Sequence, residues 1–230
     1  MILENILQLQ GSLMSKIMLV DDHPIVREGF VRLISSHKEM EVVAQASSGD
    51  EAYELLKQIE LDIVITDFSM PGISGLRFIE KALVRKPNLK IIMCSMHESF
   101  QIINFAFKLG AKGFVSKSAN PKNILDAIKA ANENKFFLSD DLRTRGHHET
   151  WNSDQLLLET LSISEFETFK MLAKGLSIAM IAKDLNLSEK TINNYQTKIR
   201  TKLQLQTPAQ LVHFAQRNGI IMQTLSVSFE

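Results

Sequence analysis

Leu61-Asp62-Ile63-Val64-Ile65-Thr66-Asp67-Phe68-Ser69-Met70-Pro71-Gly72 reads as a buried strand that ends on an acid. Ile63, Val64 and Ile65 form the short apolar run of a strand covered on both faces. Asp67 follows after Thr66, and Pro71-Gly72 then breaks the strand. An acid at the carboxyl end of a buried parallel strand stands where open α/β sheets place their ligands. Taken alone, it is equally consistent with an acid that caps the next helix.

A second set of acids changes the reading. Asp21-Asp22 ends another apolar run, Ile17-Met18-Leu19-Val20. In one reading Asp22 caps the helix entered through Pro24 and Asp21 is solvated. In the other, two adjacent strands end together and bring three carboxylates to one site. Such charges repel and raise one another's pKa. A hard divalent cation relieves that repulsion, and Mg2+ takes a few carboxylates together with water and phosphate oxygens. A third run, Ile91-Ile92-Met93-Cys94, ends in Ser95, and a fourth, Gly113-Phe114-Val115-Ser116, ends in Lys117. A hydroxyl and an ammonium at the mouth of the same sheet are the partners that a phosphoryl group on Asp67 needs.

In order and spacing these motifs resemble the receiver domain of two-component response regulators. The resemblance runs from Ser15 to about Leu138 and rests on Asp21-Asp22, DFSMPGISGL around Asp67, Ser95 in place of the commoner Thr, and GAKGFVSK ending in Lys117. It implies that Asp67 accepts a phosphoryl group from a sensor histidine kinase or a phosphotransfer protein. It further implies that Asp22, Asp67 and the Ser69 backbone carbonyl hold Mg2+, with Asp21 acting through water. Lys117 is then expected to pair with the acceptor and afterwards with the phosphoryl group. Ser95 is expected to hydrogen-bond one phosphoryl oxygen and move inward, and Phe114 to fill the space it leaves. Because this residue is Phe rather than Tyr, that switch works by packing alone.

Composition sets the outer bounds. A chain of 230 residues is one large domain or two small ones, and 45% apolar residues suffice for a core. With 26 basic and 26 acidic residues the net charge is zero, so any attraction to nucleic acid must come from a local basic face. A single cysteine, Cys94, excludes an internal disulfide, fits a reducing cytoplasm and lies in an apolar run that marks it as core. No run reaches the roughly eighteen apolar residues of a membrane span. Met1-Ile2-Leu3-Glu4 lacks the basic start of a signal peptide. A cytoplasmic protein is expected.

Residues 1–13 fit no βα unit. Ile2, Leu3, Ile6 and Leu7 have helical spacing, while Met14-Ser15-Lys16 reads like a natural start. The extension is thus either an upstream start or a small docking helix. Strand and helix then alternate. Strands are expected near 16–20, 41–46, 62–66, 89–94 and 112–116, with helices near 24–36, 49–59, 74–84, 100–109 and 121–133. Five such units predict a doubly wound, five-stranded parallel sheet of flavodoxin-like order 2-1-3-4-5 over residues 14–138. Residues 139–157 are polar and read as a linker. His147-His148 within it has no Cys or further His nearby and reads as solvated.

From residue 158 to 222 the pattern is helical, with a short tail over 223–230. Ser162-Ile163-Ser164-Glu165 is a capping box, Gly175 ends that helix, and Ser177 and Ser188 begin the next two. Short capped helices joined by a tight turn describe a helix-turn-helix. On the third helix Ile192, Ile199 and Leu203 face the core, with Tyr195 between them. Lys190, Asn193, Asn194, Thr197, Lys198 and Thr201 point outward. Lys190, Lys198, Arg200 and Lys202 make the helix basic, and Glu189 is its only acid. Double-stranded DNA is therefore the expected partner, with a solvated helix face as the alternative.

The stretch LSISEFETFKMLAKGLSIAMIAKDLNLSEKTINNYQTKIRTKL is similar to the four-helix LuxR-type DNA-binding domain. Receiver plus this domain is the arrangement of the NarL/FixJ response regulators, and TINNY with the wording around Asp67 looks somewhat like the GacA/UvrY and BvgA/EvgA branches. Thr191-Ile192-Asn193-Asn194-Tyr195 stands where most members read TVKNH, so the operator cannot be transferred from a relative. The resemblance implies that phosphorylation shifts domain packing, favours homodimers and controls DNA binding. Three other functions compete. An aspartate-nucleophile phosphatase needs an acid two residues after Asp67, where Ser69 stands. A DNA-binding protein with a vestigial receiver conflicts with the intact acidic set. A protein-interaction module makes no use of the basic helix.

Overall fold

The computed structural model describes residues 14–146 and 153–221. The readings of residues 1–13, of His147-His148 and of the tail over 223–230 lie outside the described residues. The described residues divide into two compact units, 14–95 with 109–140, and 96–108 with 141–146 and 153–221.

The first unit is built on one parallel sheet. Its strands are β1 (Ser15–Val20), β2 (Met40–Ala46), β3 (Ile63–Asp67), β4 (Lys90–Ser95), β5 (Gly113–Ser116) and β6 (Phe137–Leu138), in the order β2-β1-β3-β4-β5-β6. Helices α1 (Pro24–Ser35), α2 (Gly49–Leu56), α3 (Gly75–Arg85) and α5 (Lys122–Asn132) belong to it. Ile17, Leu19, Ile63, Ile65, Ile92, Cys94 and Val115 form one sheet face and pack with Ile34 of α1 and Ile124, Ala127, Ile128 and Ala131 of α5. Met18, Val64, Ile91 and Met93 alternate with them and are fully buried as well. Both faces are covered, as an all-parallel sheet requires. Each such side chain contributes about 1.5–3 kcal/mol.

The expected strand order holds for the first five strands, and a sixth was missed. Phe137 N–H donates to Lys112 O at 2.9 Å and Ser139 N–H to Phe114 O at 3.1 Å. Two residues are too few to show any period, so nothing in the spacing marked them as a strand. The segment read as a linker carries helices of its own. Within 139–157 the chain forms α6 (Asp140–Gly146) and α7 (Ser153–Glu159). Leu142 and Leu158 are buried on these helices, but two turns are too short to display an apolar stripe.

The second unit holds α4 (Phe100–Lys108), α7, α8 (Ile163–Ala173), α9 (Ile178–Asp184), α10 (Glu189–Lys202) and α11 (Pro208–Arg217). The capping box is present: Ser162 accepts from Glu165 N–H while Glu165 accepts from Ser162 N–H. Ser177 and Ser188 cap α9 and α10 through Met180 N–H and Thr191 N–H. Asn186 at φ +52° closes α9, and Leu187 N–H donates back to Ala182 O at 2.9 Å, which sets the tight turn into α10. Phe166, Phe169 and Phe214 form the aromatic core, with centroid distances of 6.5 and 6.1 Å. Helix α4, which follows β4 in sequence, packs here. Its buried Gln101 donates Nε2–H to Leu158 O at 3.2 Å, and Phe105 meets the Phe166 ring at 5.2 Å.

Candidate functional site

Strand register brings the acids together. Val20 pairs with Thr66, so Asp21 leaves β1 level with Asp67 at the end of β3. Asp67 pairs with Cys94, and Ser95 pairs with Ser116, so Ser95 and Lys117 arrive at the same edge. All are at the carboxyl ends of parallel strands, next to the point where the order reverses between β1 and β3.

One cation joins two of the acids. Lys117 Nζ lies 2.7 Å from Asp21 Oδ2 and 2.8 Å from Asp67 Oδ2, and its side chain is only 6% exposed. Asp67 Oδ1 accepts from Phe68 N–H at 2.6 Å, and the Ser69 N–H also turns to Asp67. Burial pushes the Asp67 carboxyl above its usual range; Lys117 opposes this, and the nearby Asp21 charge adds to it. Burial works against the Lys117 charge, but Asp67 and Asp21 outweigh it and hold the ammonium above the usual lysine range. Ser95 and Phe114 are both fully buried beside this edge. The Phe114 ring is therefore already interior.

Asp22 does not cap the helix. His23 occupies the N-cap position of α1 and makes no side-chain cap, while Asp21 Oδ1 accepts from His23 N–H at 2.9 Å. Asp22 Oδ1 is buried without a hydrogen-bond partner among the described residues. Asp21, Asp22, His23 and Asp67 each bring a ligand atom within 4.8 Å of the others. An orphaned carboxylate oxygen among three acids suits a hard cation, so the residues present fit a bound divalent metal.

Several supporting residues escaped sequence reading. Arg27 donates to the Asp21 carbonyl at 2.5 Å and to Gln45 Oε1 at 3.2 Å, which fixes the β1–α1 turn. Asp50 Oδ2 accepts from Ile73 N–H at 3.0 Å and pins the loop that follows Asp67. At Gly75 a Cβ would lie 2.1 Å from Asp67 O, so only glycine lets α3 start against the acceptor's own backbone. The glycine is visible in DFSMPGISGL, but its reason is a contact in space.

In the second unit the exposed face of α10 carries Lys190, Asn193, Asn194, Thr197 and Lys198, as expected. Ile192, Ile199 and Leu203 are buried beneath. Two expected DNA contacts sit differently. Lys202 donates Nζ–H to Thr160 O at 2.8 Å and to Glu165 Oε2 at 2.6 Å, so its charge ties α10 to the start of α8. Burial works against the Glu165 charge, but Lys202 and the Ser162 N–H outweigh it and hold the carboxyl below its usual range. Arg200 is half-buried, with an Nε that finds no partner among the described residues.

Comparison with known proteins covers both units. Residues 17–129 match the response regulator receiver domain, and residues 159–215 match the bacterial regulatory proteins of the luxR family. The transcriptional activator protein ExaE of Pseudomonas putida is 35% identical over 89% of this chain and 97% of its own length. The response regulator UvrY of Escherichia coli K12 is 32% identical over 93% of this chain and 99% of its own. RcsB from Salmonella enterica serovar Typhimurium, solved bound to a promoter in the presence of phosphomimetic BeF3−, is 25% identical with a TM-score of 0.70, covering 89% of this chain and 99% of that one. Among the described residues no helix is long and apolar enough to cross a membrane. With both domains matched in order, the chain belongs to the NarL/FixJ family of response regulators, which join a receiver to a LuxR-type DNA-binding domain.

Proposed function

We propose that Asp67 is the phosphoacceptor and that its phosphorylation controls DNA binding by α10 in the cytoplasm. The observation that carries this is the Lys117 ammonium held between Asp21 and Asp67 at the mouth of the sheet, with Ser95 on the neighbouring strand. An Asp67 oxygen attacks phosphorus as the P–N bond to a donor imidazole breaks; the nitrogen keeps the electron pair and takes a proton from water. Asp22, Asp67 and the Ser69 carbonyl would hold Mg2+, with Asp21 through water. When bound, Mg2+ supplies neutralisation of the phosphoryl oxygens. Lys117 follows the charge from carboxylate to phosphoryl group, and Ser95 donates its hydroxyl to one phosphoryl oxygen.

The donor is a sensor histidine kinase or a phosphotransfer protein, and the acyl phosphate is a signal rather than a turnover intermediate. The domains are read as a receiver over residues 14–138 and a DNA-binding domain over 158–222, with α6 and the start of α7 between them. The chain passes from the first unit into the second directly after Ser95, so α4 is the covalent continuation of the strand end that carries Ser95. Helix α4 in turn holds the end of α7, where Asn104 Nδ2 and Lys108 Nζ lie 2.5 and 3.3 Å from Glu159 Oε1. The output is a population shift toward a homodimer that places two α10 helices in successive major grooves. The test is incubation with acetyl phosphate and Mg2+, followed by intact mass and binding to genomic DNA fragments. A mass gain of one phosphoryl group on the Asp67 peptide with tighter DNA binding is expected. Labelling on another residue overturns the assignment.

A further inference from the structure

We infer that His23 is an additional metal ligand, so that the acid pocket prefers first-row transition ions over Mg2+ more strongly than an all-oxygen pocket does. This rests on the acid pocket being the metal site.

The placement of His23 is unusual for its position. Ser, Thr, Asp or Asn at a helix N-cap accept a backbone N–H, and the His23 side chain makes no such bond. Its ring turns instead to the acids. His23 Nδ1 is hydrogen-bonded to Asp21 Oδ1 at 3.2 Å and lies 2.9 Å from Asp22 Oδ1, with 64% of the side chain exposed. The approach to Asp22 Oδ1 lies outside hydrogen-bond geometry, because that oxygen has no hydrogen-bond partner among the described residues.

A ligand pair explains the spacing. Two ligands at right angles on an octahedral ion with bonds of about 2.1 Å stand roughly 3.0 Å apart. His23 Nδ1 and Asp22 Oδ1 already have that separation. The same nitrogen belongs to the four-residue group whose ligand atoms all lie within 4.8 Å of one another. The donor set is thus the Asp22 and Asp67 carboxylates, the Ser69 carbonyl and one imidazole, with Asp21 through water. Carboxylate and water suit Mg2+ and Mn2+, whereas imidazole adds affinity for Mn2+, Co2+, Ni2+ and Zn2+ and little for Mg2+. Ligation takes the neutral ring with its proton on Nε2.

The test uses full-length protein and Mn2+ alone. Titration followed by the free-ion EPR signal gives affinity, and pulsed EPR reports any ligating nitrogen. Wild type should show 14N modulation, and His23→Ala should lose it. Mn2+ affinity in His23→Ala should fall by at least roughly tenfold, the lower end of what even outer-shell partners cost, while Mg2+ affinity by competition stays within about twofold. A wild-type Mn2+ complex without 14N modulation overturns the inference, as does modulation that persists in His23→Ala. Asp22→Ala keeps the two readings apart. Loss of Mn2+ binding in that variant supports the acid pocket whatever His23 does. Undiminished Mn2+ binding there overturns the pocket and the ligand together.

Discussion

The Lys117 ammonium lies 2.8 Å from Asp67 Oδ2 across fifty residues of sequence, and the same nitrogen holds Asp21 at 2.7 Å. It is the counter-charge that lets two buried acids share one end of the sheet. Lys117→Met should therefore destabilise the metal-free protein by about 3 kcal/mol, the cost of leaving a buried charge uncompensated. Mg2+ should return much of that loss by taking the place of the ammonium between the acids. Urea unfolding with EDTA and with Mg2+ measures both. An equal loss in the two conditions would assign Lys117 to packing alone.

Asp67→Asn should move stability the other way. Burial and Asp21 both disfavour the Asp67 charge, and Lys117 offsets only part of that. Removing the charge leaves Lys117 paired with Asp21, so the melting temperature without metal should rise by roughly 2–5 °C. Labelling by acetyl phosphate should disappear, because an amide is a poor nucleophile. A variant that melts lower than wild type would show that the carboxylate is satisfied as it stands.

The strand-end residues were legible because strand periodicity and the end of each apolar run fix where a side chain emerges. Asp21, Asp67, Ser95 and Lys117 each follow such a run, and register then does the rest. Contacts between distant residues left no such trace. Arg27 on the Asp21 carbonyl, Asp50 on Ile73 and Lys202 on Glu165 depend on which helix lies beside which loop. Lys202 shows the consequence. On a helical projection it joins the basic residues of α10, yet its nitrogen turns inward to a buried acid. His23 leaves no trace either, because it stands between the Asp pair and Pro24, where Asp22 as a cap accounts for the spacing.

Gly75→Ala should be costly for a reason that only the fold shows. The new Cβ would meet Asp67 O at 2.1 Å and Phe68 Cα at 2.9 Å, both backbone atoms that cannot swing aside. Overpacking of this kind costs about 1–3 kcal/mol or more. Phosphorylation by acetyl phosphate should slow along with the loss of stability, since the displaced backbone carries the acceptor. Wild-type stability in this variant would mean that α3 starts with slack the structure does not show.

Acid should weaken the second unit through Glu165. Its folded pKa is depressed by Lys202 and the Ser162 N–H, so its contribution is present above the ordinary glutamate value of about 4.3. That contribution is lost as pH falls from there through the lower folded value. The helical circular-dichroism signal should melt at progressively lower temperature over that range. Glu165→Gln should start from a lower melting temperature at neutral pH and change less as pH falls. Parallel curves for the two proteins would remove Glu165 from the acid response.

The last prediction separates the roles along α10. Lys190 and Lys198 are exposed and should meet phosphates, which gives attraction without sequence information. Asn193 and Asn194 share that exposed face, and an Asn amide bonds adenine N6 and N7 together in the major groove. Asn193 donates Nδ2–H to Glu189 O at 3.0 Å and must release that bond to read a base, whereas Asn194 has no such tie among the described residues. Asn194→Ala should accordingly cost roughly 1–3 kcal/mol on the operator and little on scrambled duplex, with Asn193→Ala toward the lower end. Lys198→Ala should weaken both duplexes about equally and lower the salt slope by about 1. Lys202→Ala should behave differently from Lys198→Ala although both remove one charge from the same helix. Its nitrogen is committed to Glu165 and Thr160, so the melting temperature should drop while the salt slope stays near wild type. The measurement is affinity at several salt concentrations on both duplexes, with a melting curve for each variant. A full unit of salt slope lost in Lys202→Ala would return that lysine to the phosphate contacts, and equal losses on both duplexes for Asn194→Ala would take base reading away from it.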